Sequence, residues 1–211
     1  MSNKTLLISV ERSGLAMFRI FTEKFTGYRT PDGGYKSLKG GGKMTTAQSI
    51  HGQPHYDYGA TKPQLAFARS HNIQRHGIIP FDYPYDHMIL LLRDYKYAFY
   101  RGYQDKLLDN IIVFDTFKGK KMVMYYEDLI KECSSYYRAW EFMGLKYTEI
   151  DDFADAQAYA RKLFLKRKRN SGYKSIGHAP GTYARELLLK ASVEIEDKLT
   201  EKQKSYLERY F

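Results

Sequence analysis

Four stretches of this chain place residues that bind anions or move protons at the ends of apolar runs. Arg12-Ser13-Gly14 follows Leu6 to Val10, and Arg69-Ser70-His71 follows Gln64 to Ala68. Arg93-Asp94 follows His87 to Leu92, and Glu127-Asp128 follows Met122 to Tyr126. The first stretch has the clearest chemistry. A strand that stops at Arg, Ser and Gly and opens directly into a helix exposes the first helical N–H groups. These lack intrahelical acceptors and lie at the positive end of the helix dipole. Gly14 permits close backbone approach, Ser13 can cap or donate, and Arg12 adds a planar fork suited to phosphate or sulfate. The segment also reads as an ordinary strand–turn–helix with an exposed arginine. It is not a Walker A loop, because G-x-x-x-x-G-K-[ST] is absent. Polar and basic residues at four strand ends argue for a site better than any one of them.

Periodicity gives the elements that must hold these residues. Leu6 to Val10 predicts a short buried strand, and Leu15, Phe18, Ile20, Phe21 and Phe25 can share the apolar stripe of a helix. Gln64 to Ala68, His87 to Leu92 and Met122 to Tyr126 predict three more strands. Helical spacing runs from Tyr97 to Tyr103, and a long amphipathic helix runs from Glu127-Asp128 through Trp140 and Phe142 to Gly144. Continuous apolar strands alternating with helices predict an α/β fold with a parallel sheet covered on both faces. In such sheets ligands bind beyond the carboxyl ends of the strands.

The last third predicts helices from Asp151 to Lys166, Tyr183 to Leu199 and Thr200 to Phe211. Asp151-Asp152 and Thr200-x-x-Gln203 mark two of the starts. Between the first two helices lies the basic run Lys166-Arg167-Lys168-Arg169, which by itself reads as a solvated face. Thr26 to Lys62, rich in glycine and without a sustained period, predicts a long loop: a lid, a binding loop or a mobile connection.

Composition bounds the reading. The 211 residues, 43% hydrophobic and 27% charged, predict a single globular domain spanning 1–211 with a sizeable core. The one cysteine, Cys133, excludes an internal disulfide framework and suits a reducing compartment. No apolar run approaches a membrane span and the N-terminus lacks a signal-peptide pattern, so a cytoplasmic setting without a membrane partner is expected. The net charge of +10 implies an anionic partner, and twenty tyrosines with twelve phenylalanines offer stacking surfaces for bases or sugars.

Taken together, the motifs resemble those of sulfotransferases that use 3′-phosphoadenosine 5′-phosphosulfate (PAPS). That family's phosphosulfate loop, a basic residue followed by S-G-T-T-W, is matched by Arg12-Ser13-Gly14-Leu15-Ala16-Met17. Its R-D-P-x-x-x-x-x-S signature is matched from Arg93-Asp94 to Arg101, and its V-x-Y-E-D-L segment by Met124 to Leu129. Phe142-Met143-Gly144-Leu145 matches F-[LM]-G-L, Arg69-Ser70-His71 matches K-[ST]-H, and Arg167 through Gly172-Tyr173-Lys174 is a degraded R-K-G-x-x-G-x-W-K. The matches follow the family's order over most of the chain.

Departures accompany the matches. Glu11 stands where the family has Pro, Leu15 and Ala16 replace two threonines, Met17 replaces the adenine-stacking Trp, and Arg101 replaces Ser. An arginine can still grip a phosphate, because its fork fits two oxygens.

The resemblance implies a three-layer sandwich around a mostly parallel sheet, P-loop NTPase-like, and transfer of a sulfuryl group from PAPS to a hydroxyl acceptor by in-line attack. It implies that Arg12 and the amides of Ser13, Gly14, Leu15, Ala16 and Met17 hold the 5′-phosphosulfate. Arg93 and Arg101 would clamp the 3′-phosphate, with Arg167, Lys168 and Arg169 closing over it and Tyr126 on the adenine side. His71 would be the general base and Arg69 would assist at the sulfuryl oxygens, with Asp57 or Asp82 as carboxylate alternatives to the base.

No metal is implied. His51 and His55 are four residues apart in the glycine-rich loop but lack an evident third ligand. The acceptor implied is a small molecule or carbohydrate, shaped by Thr26 to Lys62 and His71 to Tyr85, and no nucleic acid. Two other classes share some features. A P-loop kinase should carry Lys-[Ser/Thr] where Leu15-Ala16 stand. A basic nucleic-acid-binding domain gives no reason for a histidine and three basic residues at successive strand ends.

Overall fold

Apolar side chains on both faces of a strand can be buried only inside a sheet that is covered on both sides. In the computed structural model the two most apolar runs obey this: β1 (Thr5–Ser9) and β3 (His87–Leu92) are buried along their whole length. The structure describes residues 5–10, 13–28, 30, 66, 68–70, 85–100, 102–170 and 193–211, with the backbone alone for 68–70 and 164–170. β1 and β3 pair in parallel, from Thr5 opposite His87 to Ser9 opposite Leu91. β2 (Ala68–Ser70) lies on the far side of β1 and β4 (Lys120–Tyr125) on the far side of β3. Both also pair in parallel, and the order is β2-β1-β3-β4.

The helices that accompany the sheet among the described residues include α1 (Leu15–Thr26), α2 (Tyr95–Tyr100), α3 (Gln104–Thr116), α4 (Tyr126–Lys131), α5 (Ser134–Phe142), α6 (Phe153–Asn170) and α7 (Glu201–Tyr210). From the β1–β3 pair the chain winds outward in opposite directions. Crossovers of one hand must then put their helices on opposite faces of the sheet. They do so here. Leu7, Ile89 and Leu91 pack with Phe18 and Phe21 of α1, Leu129 of α4, Trp140 of α5 and Ala156 of α6. On the other face Leu6, Ile8, Met88 and Leu90 pack with Phe99 of α2, Leu108 and Ile111 of α3 and Leu207 of α7. The fold is α/β, with a parallel sheet between two helical layers.

Several boundaries differ from the sequence expectation, each for a local reason. The predicted strand ended at Ala68, but β2 begins there, because Leu6, Leu7 and Ile8 take Ala68, Arg69 and Ser70 as partners. Arg69 and Ser70 therefore lie within a strand rather than past its end; residues 64, 65 and 67 are outside the described set. β4 stops at Tyr125, one residue early. The Tyr125 hydroxyl donates to the Tyr210 carbonyl at 2.9 Å, on the α7 side, and Tyr126 opens α4.

The single helix expected up to Gly144 is two, because Glu132 is extended (φ −149°, ψ 149°). That break lets α4 bury Leu129 and α5 bury Tyr136 and Trp140 in one layer. The helix expected at Tyr97 starts at Tyr95, where Asp94 Oδ1 accepts the Lys96 N–H at 3.0 Å. α3 was not anticipated, although Leu107, Leu108, Ile111 and Phe114 carry helical spacing along its buried side. α6 runs on to Asn170, so the basic run belongs to the helix. The Thr200–Gln203 capping box forms as expected. The predicted loop from residue 31 onward and most of the predicted helix Tyr183 to Leu199 lie outside the described residues, 193–196 being helical.

Among the described residues no helix is long and apolar enough to cross a membrane. The α1 side of the core is aromatic. Trp140 is fully buried and its indole N–H donates to Thr22 Oγ1 at 3.0 Å, while the Thr22 hydroxyl donates to the Phe18 carbonyl at 2.8 Å. Replacing Thr22 by Val keeps the shape and leaves the indole N–H without its acceptor. The expected loss is about 1–3 kcal/mol, read from urea unfolding followed by emission of Trp140, the chain's one tryptophan; unchanged stability would contradict it.

At the opposite, amino end of β3, His87 is buried against the edge of Phe142, with ring centroids 4.8 Å apart. Burial lowers its pKa below the usual 6.5, Lys120 lowers it further, and Asp86 opposes. The fold thus holds a neutral imidazole, while the unfolded chain takes up a proton as pH falls through about 6.5. Stability from this group is complete above that pH and is lost as pH falls below it toward the folded value. The melting temperature should drop as pH falls below about 6.5, and His87→Leu should flatten that slope. An equal slope in both proteins would contradict the assignment.

Candidate anion-binding site

The strand order reverses at the β1–β3 pair, and in open parallel sheets a crevice forms beyond the carboxyl ends of strands at such a point. β1 leads there into Ser13 and Gly14. Ser13 is buried and its hydroxyl donates to the Val10 carbonyl at 3.0 Å, so it ties the turn to the strand and does not cap α1. Gly14 is the N-cap, at φ 88° and ψ 2°, and its carbonyl accepts the Met17 and Phe18 N–H groups at 3.0 and 3.1 Å. Helix geometry then leaves the Leu15 and Ala16 amides as the first-turn donors. The Met17 amide, expected among the anion donors, is used by the turn itself. Leu15 is buried, and Ala16 and Met17 are half-buried. A Cβ at Gly14 would overlap the ring of Tyr126, so both φ and space require glycine.

The end of β3 supplies a held cation. The Arg93 guanidinium carbon lies 3.7 Å from the Tyr97 ring centroid and 4.4 Å from that of Tyr126. Both distances are well inside the range of cation–π attraction. Tyr97 is the third residue of α2, and side chains in a first turn lean back toward the helix start, where Arg93 lies. Asp94 fixes that start through Lys96, and its own N–H donates to Glu127 Oε1 of α4 at 3.3 Å. Tyr126 touches both Gly14 and Arg93. The α1 amino terminus and the guanidinium are therefore separated by about one aromatic ring.

α6 packs along α1 and α4. Phe153, its first residue, packs edge-on against Phe21 in the second half of α1, at 5.9 Å between centroids. One turn later Gln157 Nε2 donates to the Ile130 carbonyl of α4, the helix that starts at Tyr126. The Tyr159 ring lies under Lys24 Nζ of α1 at 4.4 Å. Arg167, Lys168 and Arg169 belong to the last turn of α6, described by its backbone.

Of the remaining sequence candidates, Arg69 lies in β2, described by its backbone. Glu11, Arg12, His51, His55, Asp57, His71, Asp82, Arg101 and Tyr173 are outside the described residues. Among the described residues no group of three or more His, Cys, Asp and Glu could hold a metal ion. Tyr97 is the residue that sequence reasoning missed. Its signal was present: an Asp that caps a helix three residues before a tyrosine and directly after an arginine. Glu127, one of the strand-end acids, serves to bind the Asp94 amide. Compared with known proteins, the chain matches no family model and no curated protein.

Gly14→Ala tests the turn directly. A left-handed backbone with a side chain costs about 1–3 kcal/mol, and the methyl must also displace Tyr126. The variant should unfold at lower urea by at least that margin. Wild-type stability would contradict the geometry.

Proposed function

We propose that this chain is a sulfotransferase with a P-loop NTPase-like fold, which moves the sulfuryl group of PAPS to a hydroxyl of a small-molecule or carbohydrate acceptor. The observation that carries the reading is the single tyrosine ring shared by Gly14 at the α1 amino terminus and by Arg93, at the strand-order reversal. Two positive features one ring apart suit a nucleotide with an anionic group at each end of its ribose. The residues fit that donor. Gly14 keeps the backbone free of a side chain where the phosphosulfate would approach, and Arg93 is held by two rings.

When bound, PAPS supplies an activated sulfuryl group, whose bond to the 5′-phosphate oxygen breaks as the acceptor oxygen bonds to sulfur. The protein contributes position and fixed charge, as in phosphoryl transfer. The Leu15 and Ala16 amides, with Arg12 beside them in the sequence, stabilise charge on the bridging oxygen without reorganising. Arg93 holds the 3′-phosphate together with Arg101, and Arg167, Lys168 and Arg169 at the end of α6 close over it. His71, which directly follows β2 in the chain, takes the acceptor proton, its ordinary pKa lying near neutrality. Arg69 serves the sulfuryl oxygens. The reaction needs no metal, and the acceptor is bound by a segment on either side of β2.

Calorimetric titration with 3′-phosphoadenosine 5′-phosphate (PAP), the product nucleotide, tests the reading. Wild type should bind it, and Arg12→Ala and Arg93→Ala should lose binding. His71→Ala should retain PAP and slow transfer by about 10²- to 10⁴-fold. No binding at millimolar PAP would overturn the proposal.

A further inference from the structure

The Tyr126 ring is engaged by Gly14 and Arg93, and Arg93 carries a second ring, Tyr97. We infer that Tyr97 and Tyr126 are positioning residues that hold the Arg93 guanidinium for the 3′-phosphate, and that Tyr126 acts through Arg93 rather than by stacking on the adenine. This rests on the proposed function and specifies how one end of the nucleotide is gripped.

A free arginine side chain samples many rotamers and loses them when it binds. Contact with two rings removes that cost in advance. The guanidinium so held carries a planar fork of donors whose spacing matches two oxygens of a tetrahedral anion. The brace extends beyond the rings. Tyr97 rides on α2, whose start is fixed by Asp94, the residue after Arg93. Tyr126 is next to Glu127, which accepts the Asp94 N–H. Both rings are therefore anchored to the turn that carries the arginine.

The test compares PAP with adenosine 5′-monophosphate, which lacks the 3′-phosphate, in Tyr97→Leu, Tyr126→Leu and the matching Phe variants. The Leu variants should weaken PAP by roughly 3- to 30-fold, the span expected for lost cation–π contacts, and leave the monophosphate nearly unchanged. The Phe variants should bind PAP like wild type. Equal loss for both nucleotides in Tyr126→Leu would show base stacking and overturn the inference, as would no loss at all.

If wild type binds neither nucleotide, the sulfotransferase reading fails and the inferred phosphate grip fails with it. The geometric part is read separately, from the Arg93 Nε–H resonance of the free protein. Ring currents should shift that resonance, and each Leu variant should move it back. A resonance insensitive to both substitutions would show that the rings do not hold the arginine.

Discussion

Complete burial of two adjacent parallel strands is the constraint on which the rest of this structure depends. Every side chain of β1 and β3 is buried, so both faces of the sheet need a helical layer. The chain meets that need by leaving the pair in opposite directions, α1 covering one face and α2 with α3 the other. The same reversal separates the first turns of α1 and α2 at the carboxyl ends of the strands. The gathering of helix starts and strand-end residues at that end of the sheet is a consequence of covering the core, and it arises before any functional residue is chosen.

There Tyr126 links three elements. It begins α4, packs where a side chain at Gly14 would stand, and lies under the Arg93 guanidinium carbon. The end of β4 at Tyr125, one residue before the sequence expectation, has this result. Tyr125 turns to α7 and bonds the Tyr210 carbonyl, while Tyr126 turns to the α1 side. Around Tyr210 the Asp115 carboxylate accepts the Tyr210 hydroxyl and pairs with Arg209 at 2.6 Å. Burial followed by this hydrogen bond raises the Tyr210 hydroxyl well above its ordinary pKa. The C-terminal helix is thereby fastened to α3, the layer that backs α2 and Arg93.

The two central strands and α1 were legible because a run buried on both faces has no competing periodicity and α1 has a clean apolar stripe. The strand-end position of Arg93 followed from the same run. β2 was misplaced since its register is set by β1, a partner distant in sequence, and a short edge strand carries little pattern of its own. α3 was passed over despite its spacing, and the α4–α5 break at Glu132 depends on which layer Leu129 and Trp140 must reach. The cage around Arg93 could be read only in part. Asp94 as a cap predicts Tyr97 nearby, whereas the approach of Tyr126 requires knowing that β4 lies next to β3.

The most direct test of the central claim is a crystal structure with PAP bound. The account predicts the 5′-phosphate against the Leu15 and Ala16 amides and the 3′-phosphate on the edge of Arg93, with Tyr97 and Tyr126 still flanking the guanidinium. PAP seated away from the carboxyl ends of β1 and β3, or with its 3′-phosphate remote from Arg93, would contradict it.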